Sequence, residues 1–132
     1  MKLKPTIKIL IWLTIGVILF HLAILINLIP CEVTWGGRLK NNSEMYVFEG
    51  VSILVNLFLV FVLLIKGDYL PILIPESVLN IILWIYLSLF GLNTIGNIFA
   101  ETLFEKSLSL LTLIFTYLVW TILKKDKKLP DL

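Results

Sequence analysis

A chain of 132 residues with 59% hydrophobic and only 15% charged residues, at a mean hydropathy of +1.01, lies outside the composition of soluble domains. The net charge of +2 is small and its lysines cluster near the ends, which excludes a nucleic-acid-binding surface and points to membrane topology instead. Four spans of about 20 residues with short loops use nearly the whole length, so residues 1–132 read as a single integral membrane domain.

The first apolar run covers residues 9–29 and follows Lys2, Lys4 and Lys8. It is broken only by Thr14, Gly16, His21 and Asn27. A signal peptide is excluded because the run is too long and no small-x-small site follows it. A lipoprotein anchor at Cys31 fails because Pro30 stands where a small residue is needed, and a lone cysteine makes no internal disulfide. In the following loop, Gly36 and Gly37 permit a tight turn that folds Trp35 and Arg38 back as a lid, with Arg38 toward Glu49 or Glu101. Asn41-Asn42-Ser43 offers helix caps, and its glycosylation sequon matters only in a eukaryotic secretory pathway.

The second run, residues 46–65, carries Glu49, Ser52 and Asn56 near its start. Pro75 before Glu76 marks the start of the third, which covers residues 78–98, and the fourth covers residues 107–123. Continuous apolar runs lack the alternation of a membrane barrel. The expected fold is therefore all-α, an antiparallel bundle of four transmembrane helices.

Lysine far outnumbers arginine, of which Arg38 is the single example, and Ile and Asn are abundant, as an AT-rich bacterial genome would encode. Lys2, Lys4, Lys8, Lys66 and the KKDKK tail at 124–128 fall at one end of the bundle, against Arg38, Lys40 and Lys106 at the other. This asymmetry predicts a bacterial cell membrane protein with both termini cytoplasmic. The tail lysines also attract anionic membrane lipid.

Asn93, Asn97, Glu101 and Glu105 follow one another at four-residue steps, a stripe that drifts about 40° per step on a helix. A break near residues 99–102 assigns both carboxylates to the outer loop, leaving Asn93 and Asn97 as the intramembrane pair. Counted from the middle of each run, Asn56 lies near the bilayer centre, His21 slightly outward, and Glu49 and Asn93 roughly 7–10 Å outward. Glu49, Ser52 and Asn56 share a face of the second helix by i, i+3, i+7, as Thr14 and His21 do on the first, while Thr112 and Thr116 offer a weaker contribution from the fourth. Polar groups facing lipid are costly, so these faces turn toward one another around an outward-opening polar cavity. His21, Glu49, Asn56, Asn93 and Asn97 are its candidate lining.

Each signal also has a purely architectural reading. Intramembrane asparagines commonly bond from helix to helix, each contact worth about 0.6–2 kcal/mol, and Gly91 and Gly96 would ease close approach there. Glu49 can be a helix-start carboxylate held by the macrodipole. His21 is the single histidine, and without a second one or a Cys/His cluster neither a metal site nor a cofactor is expected. Walker, GxSxG, HExxH, CxxC and GxGxxG motifs are absent.

The runs CEVTWGGRLKNNSEMYVFEGVSILVN and LNTIGNIFAETLFEK resemble a family of small four-helix bacterial integral membrane proteins of about this length. The resemblance covers nearly the whole chain and implies four spans with a Trp-Gly-Gly-Arg loop, but no activity. A looser architectural likeness, carried by span number, the longer first loop and Phe48-Glu49, is to the emopamil-binding and sigma-2 receptor family. That likeness implies a membrane cavity for sterols or lipophilic amines; no catalytic motif matches, so no residue role is carried over.

Four functions fit this reading. The leading one is a cavity for a small lipophilic or cationic ligand. The second is a membrane enzyme using His21 and Glu49 as an acid–base pair on a lipid-soluble substrate, which needs the two within about 3–4 Å or one bridging water. The third, a transporter or channel subunit, is opposed by the wholly apolar residues 57–65, unless a symmetric homo-oligomer builds the path. The fourth, a structural partner in a larger complex, predicts an exposed small-residue face.

Overall fold

The computed structural model describes residues 3–26, 28, 42–100 and 102–128. They form four α-helices: α1 (Leu3–Leu25), α2 (Asn42–Lys66), α3 (Glu76–Ile98) and α4 (Leu103–Lys128). All four are long and apolar enough to cross a membrane, and no strand occurs among the described residues. The 23 residues of α1 or α3 cover about 34 Å, more than a hydrocarbon core of about 30 Å. Helix therefore continues into the polar flanks that the apolar runs exclude.

α1 begins at Leu3, ahead of the expected residue 9, because Pro5 falls in the first turn, where its missing N–H costs no hydrogen bond. It ends at Leu25, short of residue 29. The end of α2 is set by a Schellman motif: Asp68 takes a left-handed φ of 64°, its N–H bonds the Ile65 carbonyl at 3.1 Å, and the Tyr69 N–H bonds the Leu64 carbonyl at 2.8 Å. α3 starts at Glu76 behind Pro75, as the sequence predicts, with the Pro75 carbonyl accepting from the N–H groups of Val78 and Leu79. α4 starts earlier than the expected residue 107. Thr102 caps it, its Oγ1 accepting from the Glu105 N–H at 3.1 Å while its hydroxyl donates to Glu105 Oε1 at 3.0 Å.

The helices stand in a ring. α3 packs extensively on α4 and α1 on α2, α1 also packs on α4, and of these neighbouring pairs α2 and α3 pack least although only residues 67–75 join them. Call the end where α1 starts and α4 finishes the near end. The core fills that half, with Ile7, Leu10, Leu59, Leu63, Leu83 and Ile122 among its fully enclosed side chains. Burying them side by side gives dispersion contacts that lipid tails would match poorly at such density. The opposite faces carry exposed apolar residues such as Leu54 and Leu92, each 68% exposed, as helices bordered by lipid require.

Among the described residues several polar side chains at the near end are satisfied locally, although Lys125 Nζ is buried there without a hydrogen-bond partner. Lys66, expected as a loop charge, is instead buried in the last turn of α2, its Nζ donating to Glu76 Oε2 at 2.6 Å and Asn80 Oδ1 at 2.7 Å. Both partners sit on α3, so this cluster ties the sparsest helix pair together. Lys4 lies over the Tyr69 ring and Lys124 over the Trp120 ring at 5.4 and 4.8 Å, the arrangement of amphipathic side chains at a membrane–water boundary.

Leu83→Ala should lower unfolding stability by about 2–5 kcal/mol, since Leu83 is fully buried in the core. Leu54→Ala, on the lipid-facing surface, should change it by less than about 0.5 kcal/mol. Denaturant titration of both variants in mixed micelles checks the contrast.

Candidate functional site

Where the near half is packed, the far half holds a cavity of about 770 Å³ bounded by all four helices. Aromatic rings frame it. Phe20 of α1 stacks on Phe104 of α4 at 6.0 Å between centroids, and Phe90 of α3 meets Phe115 of α4 edge to face at 5.1 Å. Below them the Tyr86 hydroxyl donates to the Val55 carbonyl at 2.6 Å, bridging α3 to α2 beneath the cavity. Thr94 Oγ1 donates to Thr112 Oγ1 at 2.9 Å and fixes α3 against α4.

His21, Asn56, Asn93 and Asn97 all line this cavity, together with Ser52 and Thr112. Sequence depth misplaced one of them. Because α1 runs from Leu3 to Leu25, its middle is Thr14, and His21 stands seven residues, roughly 10 Å, toward the far end, level with Glu49. There His21 Nδ1 lies 2.5 Å from Glu49 Oε2, joining α1 to α2. Glu49 is fully buried and is not a lining residue; His21 stands between it and the cavity. Ile24 and Met45, one turn along α1 and α2 from the pair, are buried as well.

The architectural reading of the asparagines is not what the structure contains. Asn56 Nδ2 donates to the Ser52 carbonyl of its own helix at 2.7 Å, and among the described residues the side-chain amides of Asn93 and Asn97 make no hydrogen bond. Nor do Gly91 and Gly96 mediate close approach, because a Cβ at either would meet nothing within 4 Å. Gly96 lines the cavity, and so does Gly16, whose added Cβ would likewise enter open space. In the helical conformation neither position needs glycine for its backbone.

The remaining predicted groups separate. Glu105 is buried beside its cap residue Thr102 in the first turn of α4, away from the cavity lining and not in a loop. Thr14 and Thr116 bond back to the carbonyls of Leu10 and Thr112 and do not line the cavity. Trp35, Arg38 and Glu101, and with them the suggested lid, lie outside the described residues. The aromatic frame was missed by sequence reasoning. Its signal was available in Phe20, Phe90, Phe104 and Phe115, but phenylalanine in an apolar run does not announce which face it occupies.

Among the described residues no group of three or more His, Cys, Asp or Glu side chains is placed to hold a metal ion. The fold and site together define a multi-pass α-helical membrane bundle with a far-half cavity and a buried His–Glu pair at its wall. Comparison with family models, curated proteins and solved structures finds no match for the chain.

A double-mutant cycle with His21→Ala and Glu49→Ala should give a coupling energy of about 1–3 kcal/mol in unfolding stability, as expected for a charge-assisted contact out of water. Additivity within about 0.5 kcal/mol would show that the two side chains do not support each other.

Proposed function

We propose that the chain is a bacterial cell membrane protein, both termini cytoplasmic, whose cavity opens in the outer half of the bilayer and binds a small lipophilic ligand. The observation that carries this reading is an aromatic-walled space of about 770 Å³ lined by Asn93 and Asn97, whose side-chain amides have no hydrogen-bond partner among the described residues. That volume is within the range of small-molecule sites, about 300–1,000 Å³, and the mix of apolar walls with a few polar groups matches their usual chemistry. Unbonded amides surrounded by hydrocarbon are costly, and an occupant that pairs with them removes the cost. Gly16 and Gly96 add to the argument. Each is less favourable than other residues in a helix by up to about 1 kcal/mol, and what their missing side chains preserve is cavity space.

The test is native mass spectrometry of the purified chain beside a Gly16→Leu/Gly96→Leu double variant. Wild type should retain a hydrophobic small molecule, and the variant should lose it while melting at the same or a higher temperature. Equal occupancy in both proteins would contradict a ligand in this cavity.

The 2.5 Å His21–Glu49 contact favours a second reading, acid–base catalysis on a lipid-soluble substrate, because it meets the distance that such a pair requires. On that reading Glu49 orients the imidazole and the other ring nitrogen exchanges a proton with the substrate. Molecules co-purifying with His21→Ala should then differ chemically from those co-purifying with wild type; identical molecules would leave binding as the function. The packed near half counts against a conduit through one monomer.

A further inference from the structure

We infer that the occupant is a neutral, elongated molecule taken from the bilayer, carrying a hydroxyl or N–H group that donates to Nε2 of His21. This rests on the ligand-binding reading above and specifies its chemistry.

Charge is the first argument. No Asp, Glu, Lys or Arg is found among the described lining residues. Glu49, the carboxylate in contact with the lining residue His21, is fully buried and already engaged by His21 Nδ1. A cationic ligand would have to displace the imidazole to reach it. Among the described lining residues an anionic ligand would meet no charged group but an imidazole paired with a carboxylate, and would add a net negative charge in surroundings of low dielectric. Neutral ligands avoid both costs.

The histidine supplies the polar complement. In the neutral tautomer whose Nδ1–H donates to Glu49, Nε2 is left as an acceptor. Among the described residues the His21 side chain makes no other hydrogen bond, so Nε2 is open to a donor. Beside it, Asn93 and Asn97 offer both donors and acceptors for the rest of a polar head.

Shape and access follow from the helices. Asn56 lies ten residues from the near end of α2 and Asn97 21 residues from that of α3, so the lining extends about 17 Å along the bundle. Between those amides the walls are mainly Val55, Phe90, Leu111 and Phe115, which suit an apolar body. α2 and α3 are the sparsest helix pair, and Phe48 and Val51 on one and Leu89 and Asn93 on the other both line the cavity and are exposed on the bundle surface. That surface faces hydrocarbon, so entry is lateral, from the bilayer.

The experiment uses the full chain in nanodiscs and four photoreactive diazirine probes of one chain length: hexadecanol, its methyl ether, hexadecanoic acid and hexadecyltrimethylammonium. Labelled peptides are mapped in wild type, in His21→Ala and in the Gly16→Leu/Gly96→Leu variant. The alcohol should label cavity peptides about tenfold more than the other three, the effect of one hydrogen bond to an otherwise unpaired acceptor. His21→Ala should bring the alcohol down to the level of the ether and leave the ether unchanged, a ratio within one protein that is insensitive to its stability. Acid or ammonium labelling equal to the alcohol, or an unchanged alcohol-to-ether ratio in His21→Ala, would overturn the ligand chemistry while the cavity reading stands. If no probe labels wild type above the filled variant, both fail.

Discussion

A carboxylate placed among apolar helices has to be neutralised or hydrogen-bonded where it stands, and much of the far half of this bundle is organised around that requirement at Glu49. His21 meets it from the neighbouring helix at 2.5 Å, so α1 and α2 are held together at a depth where little core packing reaches. The same contact fixes the imidazole at the cavity wall. One interaction therefore joins two helices and also sets the position of a lining residue.

The two halves divide the work. In the near half, apolar side chains from all four helices interlock, and the buried Lys66 is answered by Glu76 and Asn80. In the far half the ring of helices encloses space. Most hydroxyls of the bundle are settled within their own helix, as Thr14, Ser88, Thr116 and Thr121 are with carbonyls four residues back. Against that pattern Asn93 and Asn97 stand out, because among the described residues their intramembrane amides make no side-chain hydrogen bond.

The four helices were legible because apolar runs long enough to span a bilayer have few other structures open to them. Their ends were less so: hydropathy stops where charge begins, whereas Pro5 at one end of α1 and the Thr102–Glu105 cap on α4 let helix continue. That error moved the centre of α1 and with it the apparent depth of His21. Its proximity to Glu49 was still readable as a possibility, since both lie toward the same ends of antiparallel helices. What periodicity cannot encode is which neighbour a polar face meets. It therefore left open whether the asparagines bond to a helix or face a void, and gave no sign that Lys66 turns inward to α3.

The most direct measurement is an experimental structure of the chain in lipid, solved without added ligand and inspected between His21, Asn93 and Phe115. Elongated density reaching from hydrogen-bonding distance of His21 Nε2 toward Asn56 is the expected result. Collapse of the four helices onto one another, with Asn93 and Asn97 bonded across to neighbouring helices and no space between, would contradict the account.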